Sequence, residues 1–135
     1  MTRILALDDD PNRYDGLRSY LAGTNASLTV VACAACLRAA LPGASVVLID
    51  YDLDSGALCA ACGGWPEQVK GIAYVDDIAA RGIPAIVTSC SSPANVRRLV
   101  GELLRRGVRT AQHSAFEPEC ELRWLGRLVT WGIFR

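Results

Sequence analysis

Lysine, histidine and methionine occur once each in this 135-residue chain, and neither sign of charge is in excess, since 14 basic residues offset 14 acidic ones. That balance excludes an overall field able to draw the protein to nucleic acid or to an anionic membrane surface. Long hydrophobic runs are missing as well, and no segment approaches the roughly 20 apolar residues of a membrane span. The amino terminus enters a strand-like run at once, without the charged and then apolar stretches of a signal peptide. These absences set the expectation of a cytoplasmic protein that engages neither nucleic acid nor membrane. What is present is 51% hydrophobic, enough for a single domain over 1–135 with a full core.

Strand-like and helix-like segments alternate along the chain. Residues 3–7 are apolar without alternation, as in a strand buried on both faces. Residues 11–22 carry Tyr14, Leu17, Tyr20 and Leu21 at helical spacing, ahead of Gly23. LTVVA at 28–32 reads as a second strand, and 34–41 as an alanine-rich helix closed by Pro42-Gly43. VVLI at 46–49 is the most strand-like run and ends in Asp50. No periodicity follows, and Gly56, Gly63, Gly64 and Pro66 predict a long loop at about 54–70, a length more often functional than idle. A helix is then expected at 71–81, with Ile72, Val75 and Ile78 on one face, and a fourth strand at 84–87. Residues 94–106 form an amphipathic pattern with Val96, Leu99, Val100, Leu103 and Leu104 inward and Gly107 as its stop. A fifth strand at 108–112 and a last helix at 118–131, with Leu122, Leu125, Leu128 and Val129 buried, complete the series. Such alternation predicts an α/β fold, a doubly wound five-stranded parallel sheet with helices on both faces.

Ligands of such sheets collect at the carboxyl ends of the strands, where Asp8, Asp9, Asp50, Thr88, Ser89, His113 and Ser114 all fall. Asp8, Asp9 and Asp10 stand side by side, and adjacent like charges call for a divalent ion or a basic partner. Asp10, followed by Pro11, is explained as a helix cap. The candidate cation site therefore contracts to Asp8 and Asp9 acting with Asp50. Mg²⁺ or Mn²⁺ there would position a phosphoryl group, with Asp50 as nucleophile and Ser89 as a hydrogen-bond donor.

Six cysteines, without a signal sequence, are expected to stay as thiols or to bind metal. Cys33-x-x-Cys36 and Cys59-x-x-Cys62 have the pattern of a four-thiolate zinc site, and the topology lets the pairs meet at one end of the sheet. Against zinc stand a Cys36-to-Cys59 spacing longer than in common zinc modules and an alanine-rich setting that suits small buried residues. Zinc, redox chemistry and plain packing all stay open, while Cys90 and Cys120 read as packing residues. His113 is either an acid, base or phosphate contact beside Ser114 or a partly exposed loop residue. Arg97, Arg98, Arg105 and Arg106 read as a solvated helix face, and Trp65, Trp124 and Trp131 as partner surface or core.

Over nearly its whole length the chain resembles the receiver domain of two-component response regulators. ILALDDDPNR at 4–13 resembles the family's first strand and acidic pair, which carry over to Asp8 and Asp9. VVLIDYDL resembles the third strand and phosphoacceptor, carried over to Asp50, with Asp52 near the position whose backbone carbonyl helps hold magnesium. IPAIVTS resembles the fourth strand, whose terminal hydroxyl falls on Ser89, or on Thr88 if the register differs by one. GVRTAQHSAFEPECELRWLGRLV resembles the fifth strand and last helix, including Phe116 and Pro118. The resemblance implies a flavodoxin-like sheet of order 2-1-3-4-5. Two departures stand out: Ser114 replaces the lysine that stabilises phosphoryl oxygens, and a hydrophobic insert at 57–65 lengthens the loop after Asp50. Lys70 is the only lysine, and Arg109 and His113 are the basic residues nearest the vacated position. Receiver-like domains proposed to process cyclic phosphates are similar in Asp50-Tyr51-Asp52-Leu53 and in the long loop, but Thr88-Ser89-Cys90-Ser91 stands where they carry His-Ser-x-Asn.

These resemblances imply an atypical, stand-alone receiver domain in signal transduction, monomeric or homodimeric. It would bind a divalent cation through Asp8, Asp9 and Asp50 and act on a kinase or effector protein, by phosphorylation of Asp50 or by phosphate-independent contact. The enzyme alternative is a metal-dependent phosphoesterase for cyclic or nucleotide phosphates, with residues 55–69 as its lid. A pseudo-receiver scaffold with vestigial aspartates is the third reading.

Overall fold

Apolar residues without polar alternation make strands that are covered on both sides, and β1 (Thr2–Leu7) occupies such a place inside the sheet. The computed structural model describes residues 1–53, 58–66, 70–88, 91–112, 127 and 130–132. The other strands are β2 (Ala26–Val31), β3 (Val46–Ile49), β4 (Ala85–Val87) and β5 (Thr110–Gln112). They lie in the order β2-β1-β3-β4-β5, and every pairing is parallel. The sheet is thus the predicted flavodoxin-like one. Leu7 lies opposite Val31 and Ile49, Ile49 opposite Val87, and Val87 opposite Gln112. All five strands therefore stop at one level, and the residues that follow them share one edge.

Strand side chains alternate between two cores. Leu5, Leu7, Val47, Ile49, Ala85 and Val87 pack with Leu37 of α2 (Ala34–Ala40), Ile78 of α3 (Val75–Ala80) and Leu99 and Leu103 of α4 (Pro93–Arg105). Ile4, Ala6, Val46, Leu48 and Ile86 pack with Tyr14, with Leu17 and Leu21 of α1 (Asp15–Leu21), and with the partly buried Trp131. Each aliphatic side chain buried to this degree stabilises the fold by about 1.5–3 kcal/mol before chain entropy is counted.

Two helices expected as single units each begin with a tighter turn. Pro11–Tyr14 is a 3-10 turn leading into α1, and Gly71–Tyr74 another leading into α3. The first follows from Asp10, whose carboxylate accepts the Asn12 N–H at 3.1 Å and caps the chain as predicted. Tyr20 and Leu104, expected to belong to apolar faces, are exposed. Each is next in sequence to a buried leucine, Leu21 or Leu103, and neighbours on a helix point about 100° apart, so only one of each pair can face inward. Arg97, Arg98, Arg105 and Arg106 line the solvated side of α4, as anticipated. Cys90, Cys120, Trp124 and most of the last predicted helix lie outside the described residues, although Arg127 and Thr130 are helical. Among the described residues no helix is long and apolar enough to cross a membrane.

The chain leaves the sheet at Asp50 and returns to the same place. Asp52 and Lys70 form an isolated antiparallel bridge, and the Gly71 N–H donates to the Tyr51 carbonyl at 2.6 Å. Only glycine fits on the return, because a Cβ at position 71 would overlap the Asp50 carbonyl oxygen.

Candidate functional site

The backbone ladder runs one residue beyond β1, β3 and β4 and fixes what comes next. Asp8 donates its N–H to the Val31 carbonyl at 2.9 Å, Asp50 to Leu7 at 3.0 Å and Thr88 to Ile49 at 3.0 Å. Asp8, Asp9 and Asp50 are thereby brought together, all buried, with carboxylate oxygens within 4.8 Å of one another. Buried like charges at this distance repel strongly unless a cation intervenes.

Such a cation is built into the chain. Arg13 Nη1 lies 2.8 Å from Asp8 Oδ2 and 3.0 Å from Asp50 Oδ2, while Nη2 donates to the Thr88 carbonyl at 2.7 Å. One guanidinium thus bridges the ends of β1, β3 and β4. Sequence reasoning gave Arg13 no role, because its reach back to Asp8 rests on a 3-10 turn that helical periodicity does not reveal. Tyr14, from the same turn, donates its hydroxyl to Asp8 Oδ2 at 2.8 Å, and the Asp10 N–H donates to Asp8 Oδ1 at 3.0 Å.

These contacts oppose one another in the protonation of Asp8. Burial raises its pKa from 3.8 to about 7, with Asp50 adding to the rise and Arg13, Asp10 and Tyr14 holding it down. Burial and the neighbouring Asp8 push the Tyr14 phenol well above its ordinary range, so it remains a donor.

The other predicted residues are placed as follows. Thr88 is buried at the end of β4. Asp52 pairs through its carboxylate with Lys70 Nζ at 2.6 Å; burial works against ionisation there, but Lys70 and Ser91 hold its pKa below the ordinary value. The single lysine is accordingly spent beside the loop mouth, 5.7 Å from the centroid of the Tyr51 ring. Arg109, a candidate to replace the missing lysine, stacks instead on Trp131 at 4.8 Å. Ser89, His113 and Ser114 lie outside the described residues.

Three buried carboxylates form a hard oxygen donor set that fits a divalent cation such as Mg²⁺ or Mn²⁺. That ion and the Arg13 guanidinium would compete for Asp8 and Asp50.

A second cluster joins all four residues of the two Cys-x-x-Cys pairs. Cys33, Cys36, Cys59 and Cys62 hold their sulfurs within 4.8 Å of one another, and Cys33 Sγ lies 3.5 Å from Cys62 Sγ. All four are free thiols. Burial pushes the Cys33 thiol up, and hydrogen bonding to Cys33 does the same for Cys36. Burial also works to raise Cys59, but N–H donors led by Ala32 bring it down to about 6.

No protein-family model matches the sequence, and no curated protein matches it. Solved structures match the fold. A CheY-like response regulator receiver domain protein from Methanospirillum hungatei is similar at 15% identity and a TM-score of 0.66, over 98% of this chain and 94% of that one. A response regulator receiver protein from Pseudomonas putida aligns at 16% identity and a TM-score of 0.63, over 96% of both chains. The receiver domain of TorR, the response regulator of a TMAO respiratory system, aligns at 18% identity and a TM-score of 0.66, over 98% of this chain and 99% of that one. The chain therefore has the fold of a CheY-like receiver domain, carried by a sequence only 15% to 18% identical to these neighbours.

Proposed function

We propose that the chain is an atypical receiver domain in cytoplasmic signal transduction, binding a divalent cation through Asp8, Asp9 and Asp50 and accepting a phosphoryl group on Asp50. The observation that carries this reading is the convergence of three buried carboxylates at the strand ends, with Asp50 next to a guanidinium. The cation would neutralise charge on an incoming phosphoryl group. Asp50 supplies the attacking carboxylate oxygen. Arg13 is the fixed positive group of the pocket, able to turn from a carboxylate to phosphoryl oxygens, the task that a lysine at position 114 would perform in ordinary receivers. About two negative charges added on Asp50 would pull Arg13 away from Asp8 and from the Thr88 carbonyl, loosening the link between β1 and β4. The altered surface is then read by a kinase or effector protein.

Incubation with acetyl phosphate and Mg²⁺, followed by intact-mass analysis, should add one phosphoryl group to the wild type and none to Asp50→Asn. Absence of the adduct, with no Mg²⁺ binding at millimolar concentration, overturns the reading. One observation favours a second, phosphate-independent scaffold: Arg13 already satisfies Asp8 and Asp50 in the way an ion would. On that reading Arg13→Gln abolishes partner binding while Asp50→Asn leaves it intact.

A further inference from the structure

We propose that Cys33, Cys36, Cys59 and Cys62 form a tetrahedral four-thiolate site for one zinc ion, which fastens the long loop after Asp50 to the start of α2. The four sulfurs come from two separate stretches of chain, the N-cap and first turn of α2 and the loop beyond β3, yet meet within 4.8 Å. Zinc–sulfur bonds of about 2.3 Å in a tetrahedron place sulfurs roughly 3.8 Å apart, so the cluster needs only small adjustment to close on one ion.

Backbone N–H groups already point at three of the sulfurs. Ala32 donates to Cys59 at 3.3 Å, Cys36 to Cys33 at 3.4 Å and Gly64 to Cys62 at 3.4 Å. Such donors stabilise thiolates and orient metal ligands. The second pair is wound into a tight turn, in which Cys59 N–H donates to the Gly64 carbonyl at 2.7 Å and Gly63 N–H to the Cys59 carbonyl at 2.8 Å. Gly63 makes this turn at φ +73°, a conformation that favours glycine.

Packing alone does not account for the group. Cys59 and Cys33 are buried, but Cys62 is exposed and Cys36 only half-buried, so two of the four contribute little to a core. Four sulfur donors select zinc over magnesium, just as three carboxylates select the reverse. On binding, each thiol releases its proton to solvent, and four thiolates around one dication leave the site with two negative charges. This assignment stands apart from phosphorylation of Asp50, since it involves none of the carboxylates.

The full chain, purified under reducing conditions without added metal, should carry one zinc per chain by elemental analysis. Co²⁺ added to the metal-free chain should produce sulfur-to-cobalt charge-transfer bands and the strong visible bands of a tetrahedral thiolate site. Cys62→Ser, at the most exposed ligand, should weaken zinc at least about 100-fold, whereas Asp50→Asn should leave zinc content unchanged. Should Cys62→Ser fold poorly, wild-type cobalt spectra and protection of the four thiols from alkylation by equimolar Zn²⁺ still decide. Equal alkylation rates with and without Zn²⁺, absence of the cobalt bands, a disulfide within the cluster, or iron in place of zinc would each overturn the assignment.

Discussion

The two clusters of this molecule are held in opposite ways. The acidic pocket is positioned by the sheet itself, each of Asp8 and Asp50 locked by a ladder hydrogen bond one residue past its strand. The thiol cluster is positioned by turns, one at the cap of α2 and the other in a loop with no regular structure among its described residues. The pocket also contains its own cation, Arg13, and is compatible with folding before any metal arrives. The thiols have N–H donors only for part of the charge they would carry as thiolates. An ion in the pocket is thus an exchangeable ligand, suited to switching. An ion among the thiols would be a lasting part of the loop. The proposals differ accordingly in what metal removal does: little to the fold at the carboxylates, much at the cysteines.

Gly71 is where the two regions touch, because the chain that carries Cys59 and Cys62 leaves from Asp50 and lands again on its carbonyl. Gly71→Ala should therefore give the largest effect, about 4 kcal/mol lost in urea unfolding, since a backbone–backbone overlap cannot be relieved by a rotamer change. If the regions are as separable as their geometry suggests, Mg²⁺ binding should collapse in this variant while cobalt binding at the thiols survives. Loss of both together would mean that the loop and the pocket are one unit.

Arg13→Ala removes the internal cation and leaves three buried carboxylates facing one another. Breaking buried ion pairs of this kind costs about 3 kcal/mol in the metal-free protein. Mg²⁺ at millimolar concentration should restore most of that loss and should bind at least about tenfold more tightly than to wild type, because it no longer competes with the guanidinium. Titration by calorimetry with urea melts in parallel checks both parts. A variant that loses stability but gains no Mg²⁺ affinity would show Arg13 to be a structural bridge rather than a competitor.

Much of the pocket was legible in the sequence. Strand ends are marked by where apolar runs stop, and three such stops put Asp8, Asp50 and Thr88 on one edge. Asp10 as a cap followed from Pro11. Arg13 was not legible because its function depends on a 3-10 turn, wound about 0.6 residue per turn tighter than the α-helix expected, that brings residues 13 and 14 back over Asp8. Periodicity cannot distinguish the two. Lys70 was hidden for a different reason: its partner Asp52 lies across the irregular loop, and nothing in sequence spacing states where such a loop closes. The cysteine pairs were legible as a pattern that the topology lets meet at one end of the sheet; what only the fold shows is that all four sulfurs come within 4.8 Å of one another.

The smallest expected effect separates the two regions by pH. Asp8 has its pKa raised from 3.8 to about 7 by burial, so the folded state holds a proton there that the unfolded chain has released. The stability this group contributes is fully present below about pH 4 and is lost as pH rises through about 7, with a slope of at most about 1.4 kcal/mol per pH unit. Asp8→Asn should remove that slope. Saturating Mg²⁺, which needs the ionised carboxylate, should reverse it. Tyr14→Phe acts on the same balance from the other side: the phenol stabilises the ionised form of Asp8 by donating at 2.8 Å, and its removal costs about 1 kcal/mol at neutral pH. Without that donor the Asp8 carboxyl keeps its proton to higher pH, so the inflection in metal-free stability should move upward from about 7 and Mg²⁺ should require a more alkaline solution to bind. Urea melts taken from pH 5 to 9 on wild type and Tyr14→Phe would show the displacement. An unmoved inflection would place the titrating group elsewhere than at Asp8.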